Sequence, residues 1–485
     1  MHFSDLPHGR ALVDPLGPAL ADDDGALDNA ALLARTESAA SVLTAHGVGE
    51  GDVVAVLLPN RVDLIIALFA AWRLGAAVTP INPVLGDAEA RYQLTDAGAR
   101  VVVTDTERDL GVPALAPAAL AEGEATGLPE RRPRPDSDLA LLIYTSGTTG
   151  SPKGVMLTHA NLDAMTASFA EWFELGAEDH SLLVLPLFHA NGIVLGTLTP
   201  LRAGGRVTIT GRFSRDRFFD DVERVRPTYF SAVPAIYALL STLPDDIRPD
   251  TSSLRFGVCG AAPMPVEAIE RFEDRFGITI VEGYGLSETT TASTINPLRG
   301  PRKPGTVGLP LPGQRVDVVD AEGRPVPVGE RGEVVISGPV VMAGYLGRPE
   351  ETARTIVDGR LRTGDIGCFD EDGYLRIVDR IKDMIIRGGE NVYPKEIENA
   401  LYAHPDVHEA AVVGRPDDVL GEVPVAFVSL VPGSTASAPE LSAHAARLLA
   451  RFKQPEVIEI VAEIPKNPVG KIDKPALRRL LGERV

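Results

Sequence analysis

Cysteine is nearly absent. The chain has only Cys259 and Cys368, far apart and without metal-ligand spacing, which argues against a disulfide framework or a zinc-stapled fold and suits a cytoplasmic location. An excess of positive charge is missing too: 47 Lys and Arg against 67 Asp and Glu leave a net charge of -20. Such a chain repels nucleic acid and anionic membrane, so any phosphate binding has to be local. The opening residues, MHFSDLPHGR, contain no basic run followed by an apolar stretch, and no signal peptide is read there. No apolar run spans a bilayer. The most apolar segment, Leu64 to Val78, is interrupted by Arg73 and has helical periodicity, which predicts a buried helix.

What is present describes a globular enzyme. Hydrophobic residues at 44% and charged residues at 24% of 485 residues fit soluble domains, and the length exceeds one ordinary core, so at least two domains are expected. From Val53 to Thr104 short β-branched runs alternate with helical stretches (Arg61 to Leu74, Asp87 to Ala97), the pattern of strand–helix units on a largely parallel sheet. A Pro- and acid-rich stretch, Leu128 to Asp138, leads into a buried strand, Leu139 to Tyr144. Further strands are expected at Ser181 to Leu185, Arg206 to Thr210, Thr228 to Val233 and Arg255 to Cys259, with helices at Arg215 to Val225 and Pro265 to Phe276. From Gly305 to Ile377 short strands with Gly and Pro turns predict a small antiparallel or barrel-like subdomain, and from about Lys382 a compact α+β domain begins. The fold class is therefore α/β: a large part of doubly wound α/β subdomains with a small β-barrel-like one, then a small α+β domain. The expected division is 1–381 and 382–485.

The strongest motif follows the strand at Leu139. In Tyr144-Thr145-Ser146-Gly147-Thr148-Thr149-Gly150-Ser151-Pro152-Lys153-Gly154 three glycines permit close backbone approach to an anion, the hydroxyls of Thr145, Ser146, Thr148 and Thr149 add donors, and Lys153 adds charge for a β- or γ-phosphate. The P-loop pattern GxxxxGK[ST] is not matched, because Gly154 follows Lys153. A surface turn rich in Ser, Thr and Gly is the plainer alternative, and the dense combination with one Lys disfavours it.

With the segments that follow, in order from near Asn29 to Asp473, the chain resembles the adenylate-forming superfamily of acyl-CoA synthetases, aryl-CoA ligases, peptide adenylation domains and luciferase. The resemblance implies a role for each matching position. Gly283-Tyr284-Gly285-Leu286-Ser287-Glu288-Thr289, preceded by Glu282, is similar to the adenine and magnesium segment: Tyr284 would face adenine, Ser287 the α-phosphate, and Glu288, with Thr145, Mg²⁺, which takes one or two carboxylates plus phosphate oxygens. Gly260-Ala261-Ala262-Pro263 resembles the other adenine wall, and Cys259 before it is read as packing. Asp365 in Arg362-Thr363-Gly364-Asp365 would bind the ribose hydroxyls, with Ile377 and Arg380 beside it.

Lys471 matches the catalytic lysine, whose charge would bridge the substrate carboxylate and the α-phosphate. Lys382 falls at the hinge about which a mobile C-terminal domain would turn, exchanging Lys471 for Gly388 and Gly389 as the lining of a pantetheine tunnel. His189 would gate between acyl pocket and tunnel, and the pocket residues would be His189, Asn191, Ala232, Val233, Gly260, Gly283, Leu286 and Thr290.

The resemblance implies an ATP- and Mg²⁺-dependent ligase that adenylates an acid, releases pyrophosphate, and passes the acyl group to coenzyme A with release of AMP. Malonate-specific relatives carry an Arg where this chain has Gly283, so a monocarboxylic acid, fatty or aromatic, is expected. Alternatives are a stand-alone enzyme that loads a carrier protein or activates an oxyanion such as nitrite, a silent scaffold, and a luciferase-like oxygenase. A silent scaffold would have a damaged site, whereas Lys153, Glu288, Asp365, Arg380 and Lys471 are all present. Expected partners are a small carboxylic acid and coenzyme A or a carrier protein, with no nucleic acid and no membrane span; a homodimer is compatible.

Overall fold

A computed structural model describes residues 2–124, 128–131, 134–145, 152–262, 264–466 and 472–482. The chain forms two compact units, one of 1–316 with 335–362 and the other of 317–334 with 363–485.

In the first unit the alternating strand–helix pattern yields two sheets. One has the spatial order Gly344–Tyr345, Lys153–Thr158, Leu139–Thr145, Ala77–Pro80, Val53–Leu57, Ala99–Thr104, Ala114–Leu115. Its central strands are parallel and buried, hence the unbroken apolar runs. The expected apolar helix is Val62–Leu74, closed by Gly75 at φ 79°. Its Trp72 is wholly buried and donates from Nε1 to Ala140 O at 2.8 Å; a buried large apolar side chain of this kind contributes about 1.5–3 kcal/mol. Arg73, at the helix end, pairs with Glu37 at 3.3 Å. No described helix is long and apolar enough to cross a membrane.

The second sheet has the order Leu309–Pro310, Thr294–Ile295, Ile280–Tyr284, Phe256–Cys259, Tyr229–Ala232, His180–Leu183, Arg206–Ile209, Pro18–Asp22, Gly25–Asp28. Its five middle strands, from Ile280–Tyr284 to Arg206–Ile209, run parallel, so their carboxyl ends lie along one edge, where ligands of open α/β sheets bind. The antiparallel return of Thr294–Ile295 onto Ile280–Tyr284 was not expected from the sequence, because two residues carry no periodicity.

The short strands expected between Gly305 and Ile377 include Arg315–Val319, Gly332–Ser337, Arg360–Phe369 and Leu375–Arg380, the last two paired antiparallel. In the second unit Ile385–Arg387, Glu390–Val392, Val407–Asp417, Gly421–Leu430 and Val457–Ile460 make a mixed sheet. Helices Pro394–Tyr402 and Ala438–Leu448 cover one face through Ile397, Leu401, Leu441 and Ala445, and Lys474–Gly482 covers the other through Leu477. This is the expected α+β domain.

Candidate active site

The phosphate-loop motif joins two antiparallel strands, Leu139–Thr145 and Lys153–Thr158, with Thr145 directly opposite Lys153. Register thus holds the first hydroxyl and the lysine of the motif side by side. Ser146, Gly147, Thr148 and Thr149 lie outside the described residues, as do Pro263 and Lys471.

Lys153 is buried and engaged. Its Nζ pairs with Glu351, on the short helix Pro349–Thr355, and lies 5.2 Å from the ring centre of Tyr345. Tyr345 sits on the two-residue strand paired with Lys153–Thr158, opposite Val155, and its hydroxyl donates to Glu288 Oε1 at 2.8 Å. Burial, then the Glu288 carboxylate, raises the pKa of that hydroxyl well above the usual tyrosine range, so it stays protonated as a donor. Lys153, Tyr345 and Glu288 therefore form one chain from the phosphate loop to the carboxylate expected to hold magnesium. Tyr345 and Glu351 escape a reading of the sequence, because they join the site from 57 and 198 residues away.

Glu288 is the middle residue of a tight helical turn, Ser287–Thr289, held in place by Met342 N donating to Glu288 O at 2.9 Å. No group of three or more His, Cys, Asp or Glu among the described residues could hold a metal. A magnesium ion at Glu288 would take its other ligands from phosphates, hydroxyls and water, which is how Mg²⁺ usually binds, so a single carboxylate with one oxygen steadied by Tyr345 fits it. Thr290 closes the turn at φ 66°, fully buried, with its hydroxyl donated to Val340 O at 2.6 Å. Leu286 is half-buried against the core.

Gly285 has a steric cause: a Cβ there would lie 2.4 Å from Ala292 Cα and 2.4 Å from Thr291 O. Tyr284, half-buried, is locked in register opposite Thr294. The other proposed adenine wall leaves the end of Phe256–Cys259 as half-buried Gly260, then exposed Ala261 and Ala262, with Ala261 in the left-handed region at φ 69°. A non-glycine residue held there is a local strain of the kind that collects at functional sites. Cys259 is buried with its Sγ 3.7 Å from Met264 Sδ, in keeping with packing. Beside it Glu282 is buried, accepting from Met264 N at 3.4 Å and Gly305 N at 3.3 Å, and burial pushes its carboxyl up to about 7.

Of the residues expected to line an acyl pocket, three stand side by side. Register aligns Ala232, Cys259 and Glu282 across three adjacent parallel strands, so Val233, Gly260 and Gly283 follow in a row at the carboxyl edge. A Cβ on Gly260 would lie 3.8 Å from Gly283 O, while one on Gly283 would strike Ile295 Cγ1 at 2.9 Å. His189, its ring 4.6 Å from that of Phe188, precedes the helical turn Ala190–Ile193 that carries Asn191. Asn60 clamps the approach, donating to Leu185 O at 2.9 Å and accepting from Leu187 N at 2.8 Å.

In the second unit Asp365 stands opposite Arg380 in register, and Arg380 Nε donates to Asp365 Oδ1 at 2.8 Å. Asp365 is 2% exposed, so this charge partner matters to it. Ile377 lies on the same strand as Arg380, half-buried. Lys382 is followed by Asp383, which accepts from Arg478 at 2.7 Å. Gly388 and Gly389 form the turn between Ile385–Arg387 and Glu390–Val392 at φ 59° and 87°, exposed, a conformation that favours glycine.

Residues 7–346 match the AMP-binding enzyme family, and residues 396–471 match the AMP-binding enzyme C-terminal domain. A feruloyl-CoA synthase of Amycolatopsis sp is 39% identical over 98% of both chains. A sulfoacetate–CoA ligase of Cupriavidus necator is 40% identical over 89% of this chain and 88% of that one. Among solved structures, an o-succinylbenzoate coenzyme A synthetase from Bacillus subtilis in complex with ATP and magnesium ion superposes with a TM-score of 0.89 at 31% identity, covering 99% of each chain.

Proposed function

The chain belongs to the AMP-binding enzymes, and from that premise we propose that it activates a monocarboxylic acid, fatty or aromatic, and hands the acyl group to coenzyme A. It is an AMP-forming acid:CoA ligase that uses ATP, Mg²⁺ and coenzyme A. One observation supports the assignment of site residues above the others: Tyr345 carries the cation of Lys153 against its ring and the carboxylate of Glu288 on its hydroxyl. A phosphate-binding cation and a magnesium-binding carboxylate held on one side chain suit a bound nucleotide triphosphate.

In the first half-reaction a carboxylate oxygen of the acid attacks the α-phosphorus of ATP, the bond to the bridging oxygen breaks, and pyrophosphate leaves. Lys153, with Thr145, Ser146, Gly147, Thr148 and Thr149, would hold the outer phosphates. Ser287 would donate to the α-phosphate, and Lys471 would stabilise charge between it and the acid. A magnesium ion at Glu288 supplies neutralising charge to the phosphate oxygens. Tyr284 with Gly260, Ala261, Ala262 and Pro263 would enclose adenine, and Asp365 with Arg380 the ribose. In the second half-reaction the thiol sulfur attacks the acyl carbon, the bond to the phosphate oxygen breaks, AMP leaves, and the thiol proton passes to solvent. His189 would gate the thiol's approach. The functional division is placed between Ile381 and Lys382, with Lys382 as hinge and Gly388 and Gly389 lining the thiol's path; unequal loss of the two half-reactions in Lys382→Pro supports this, and equal loss counts against it.

The preference for a monocarboxylate rests on Gly283. The sulfoacetate-named relative acts on an acid with a second anionic group, the feruloyl-named one yields an aromatic acyl thioester. A second anion needs a cationic partner when desolvated, and position 283 has no room even for a Cβ beside Ile295.

The test is pyrophosphate release from ATP over a panel of fatty, aryl and dicarboxylic acids, each with and without coenzyme A, with products identified by mass spectrometry. Acid-dependent release ending in an acyl-CoA supports the assignment. Release that coenzyme A neither speeds nor converts points to another acceptor, and a preference for dicarboxylates overturns the substrate class.

A further inference from the structure

The phosphate loop is held at both ends by one helix. The chain is described up to Thr145 on one side of the loop and from Pro152 on the other, and each flank shares a hydrogen bond with the helix Asp87–Asp96. At the start, Tyr144 donates from its hydroxyl to Asp96 Oδ2 at 2.8 Å. At the end, Tyr92 donates from its hydroxyl to Pro152 O at 3.0 Å. Pro152 has no N–H with which to extend the hairpin ladder beyond Thr145 and Lys153, so its carbonyl takes a donor from outside. Tyr92 and Asp96 are four residues apart, and one helical turn presents both.

That helix is a fixed platform. Glu89 reaches back to accept from Gly86 N at 3.1 Å, and Asp87 pairs with Arg108 at 2.6 Å. Ala90 and Leu94 are buried in the core that contains Ala55, Leu57 and Val102. At about 3.6 residues per turn, Tyr92 and Asp96 lie on the side away from Ala90 and Leu94, so one side of the helix grips the sheet and the other grips the loop. The grip extends toward the lysine as well. Arg348 Nη2 donates to the Tyr92 hydroxyl at 3.0 Å, and Arg348 directly precedes Pro349–Thr355, the helix whose Glu351 pairs with Lys153. Across the hairpin the Tyr144 ring covers the far flank, since a Cβ on Gly154 would lie 3.4 Å from Tyr144 Cζ. Burial, then Asp96, raises the pKa of the Tyr144 hydroxyl above the usual tyrosine range, so it stays a donor.

We propose that Tyr92 and Asp96 are positioning residues for the outer phosphates of ATP: by fixing both flanks of the loop they set the spacing at which its donors and Lys153 meet the β- and γ-phosphates. They act through the loop rather than on the nucleotide. A site whose donors are already placed loses less ordering entropy on binding. AMP has no outer phosphates, so the two residues matter to ATP and not to AMP. This rests on the nucleotide site assigned above and adds a helix to it.

The experiment uses the full-length protein and calorimetric titration with ATP and with AMP, each with Mg²⁺ and without acid or coenzyme A. The variants are Tyr92→Phe, Asp96→Leu, Tyr144→Phe and the double variant of the last two. Loss of one positioning hydrogen bond should weaken ATP binding by about three- to tenfold, while AMP binding stays at the wild-type level and so reports that each variant is folded. The double variant should bind ATP as well as either of its single variants, because both remove the same bond. Equal weakening of ATP and AMP in Tyr92→Phe and Asp96→Leu overturns the proposal, since a general loosening of the first unit would produce it. Unchanged ATP binding in both variants also overturns it, as do losses that multiply in the double variant. A wild-type protein that binds neither nucleotide contradicts the ligase assignment itself.

Discussion

Glu282→Gln should change the pH dependence of stability. The Glu282 carboxyl is 6% exposed and is pushed by burial from an ordinary 4.5 to about 7. Between those values the folded protein keeps a proton that the unfolded chain has released, so this group favours folding most below pH 4.5, loses that contribution as pH rises to about 7, and changes little above. The slope in that window is about 1.4 kcal/mol per pH unit, and from pH 5 to pH 8 the wild-type protein loses about 2.5 kcal/mol through this group alone. Glutamine does not titrate. It also loses one acceptor for Met264 N or Gly305 N, a penalty of about 1 kcal/mol that does not vary with pH. The variant should therefore gain about 2.5 kcal/mol on the wild type between pH 5 and pH 8, whatever the constant offset. Urea unfolding followed by tryptophan fluorescence measures this, because the two tryptophans, Trp72 and Trp172, both lie in the first unit. Parallel stability curves for the two proteins would refute a proton held on Glu282.

Glu351→Gln removes the charge partner of Lys153 and should lower KM for ATP about two- to fivefold, the range of a partly exposed ion pair; a raised KM would show that Glu351 assists phosphate binding. Gly285→Ala forces a Cβ to within 2.4 Å of backbone at Ala292 and Thr291 and should destabilise the first unit by about 1–3 kcal/mol, seen as an earlier urea midpoint together with weaker ATP binding. Asp365→Asn removes the carboxylate charge that Arg380 Nε contacts at 2.8 Å and should weaken ATP binding by about tenfold or more, as loss of charge-assisted hydrogen bonds to ligand hydroxyls does; unchanged binding by calorimetry contradicts the ribose role.

The fold was legible where local patterning decides it. Leu139–Thr145, Arg206–Ile209 and Phe256–Cys259 appear within a residue of where their apolar or β-branched runs place them, because a buried strand needs such a run. The hairpin of Thr145 and Lys153 was only half legible: the loop composition indicates anion binding, but the pairing depends on register. Contacts made by chain reversal were not legible. Tyr345 and Glu351 reach the phosphate loop through a two-residue strand and a seven-residue helix, too short to show a period. The strain at Ala261 has no compositional sign either, since alanine gives no hint of positive φ.

The central claim, that the acid's own oxygen attacks the α-phosphorus, is tested most directly by isotope transfer. An acid labelled with oxygen-18 in both carboxylate positions is turned over with ATP, Mg²⁺ and coenzyme A, and AMP and pyrophosphate are weighed by mass spectrometry. The account predicts one oxygen-18 in each AMP and none in pyrophosphate. Label in the pyrophosphate fraction, or AMP formed without label, would contradict it.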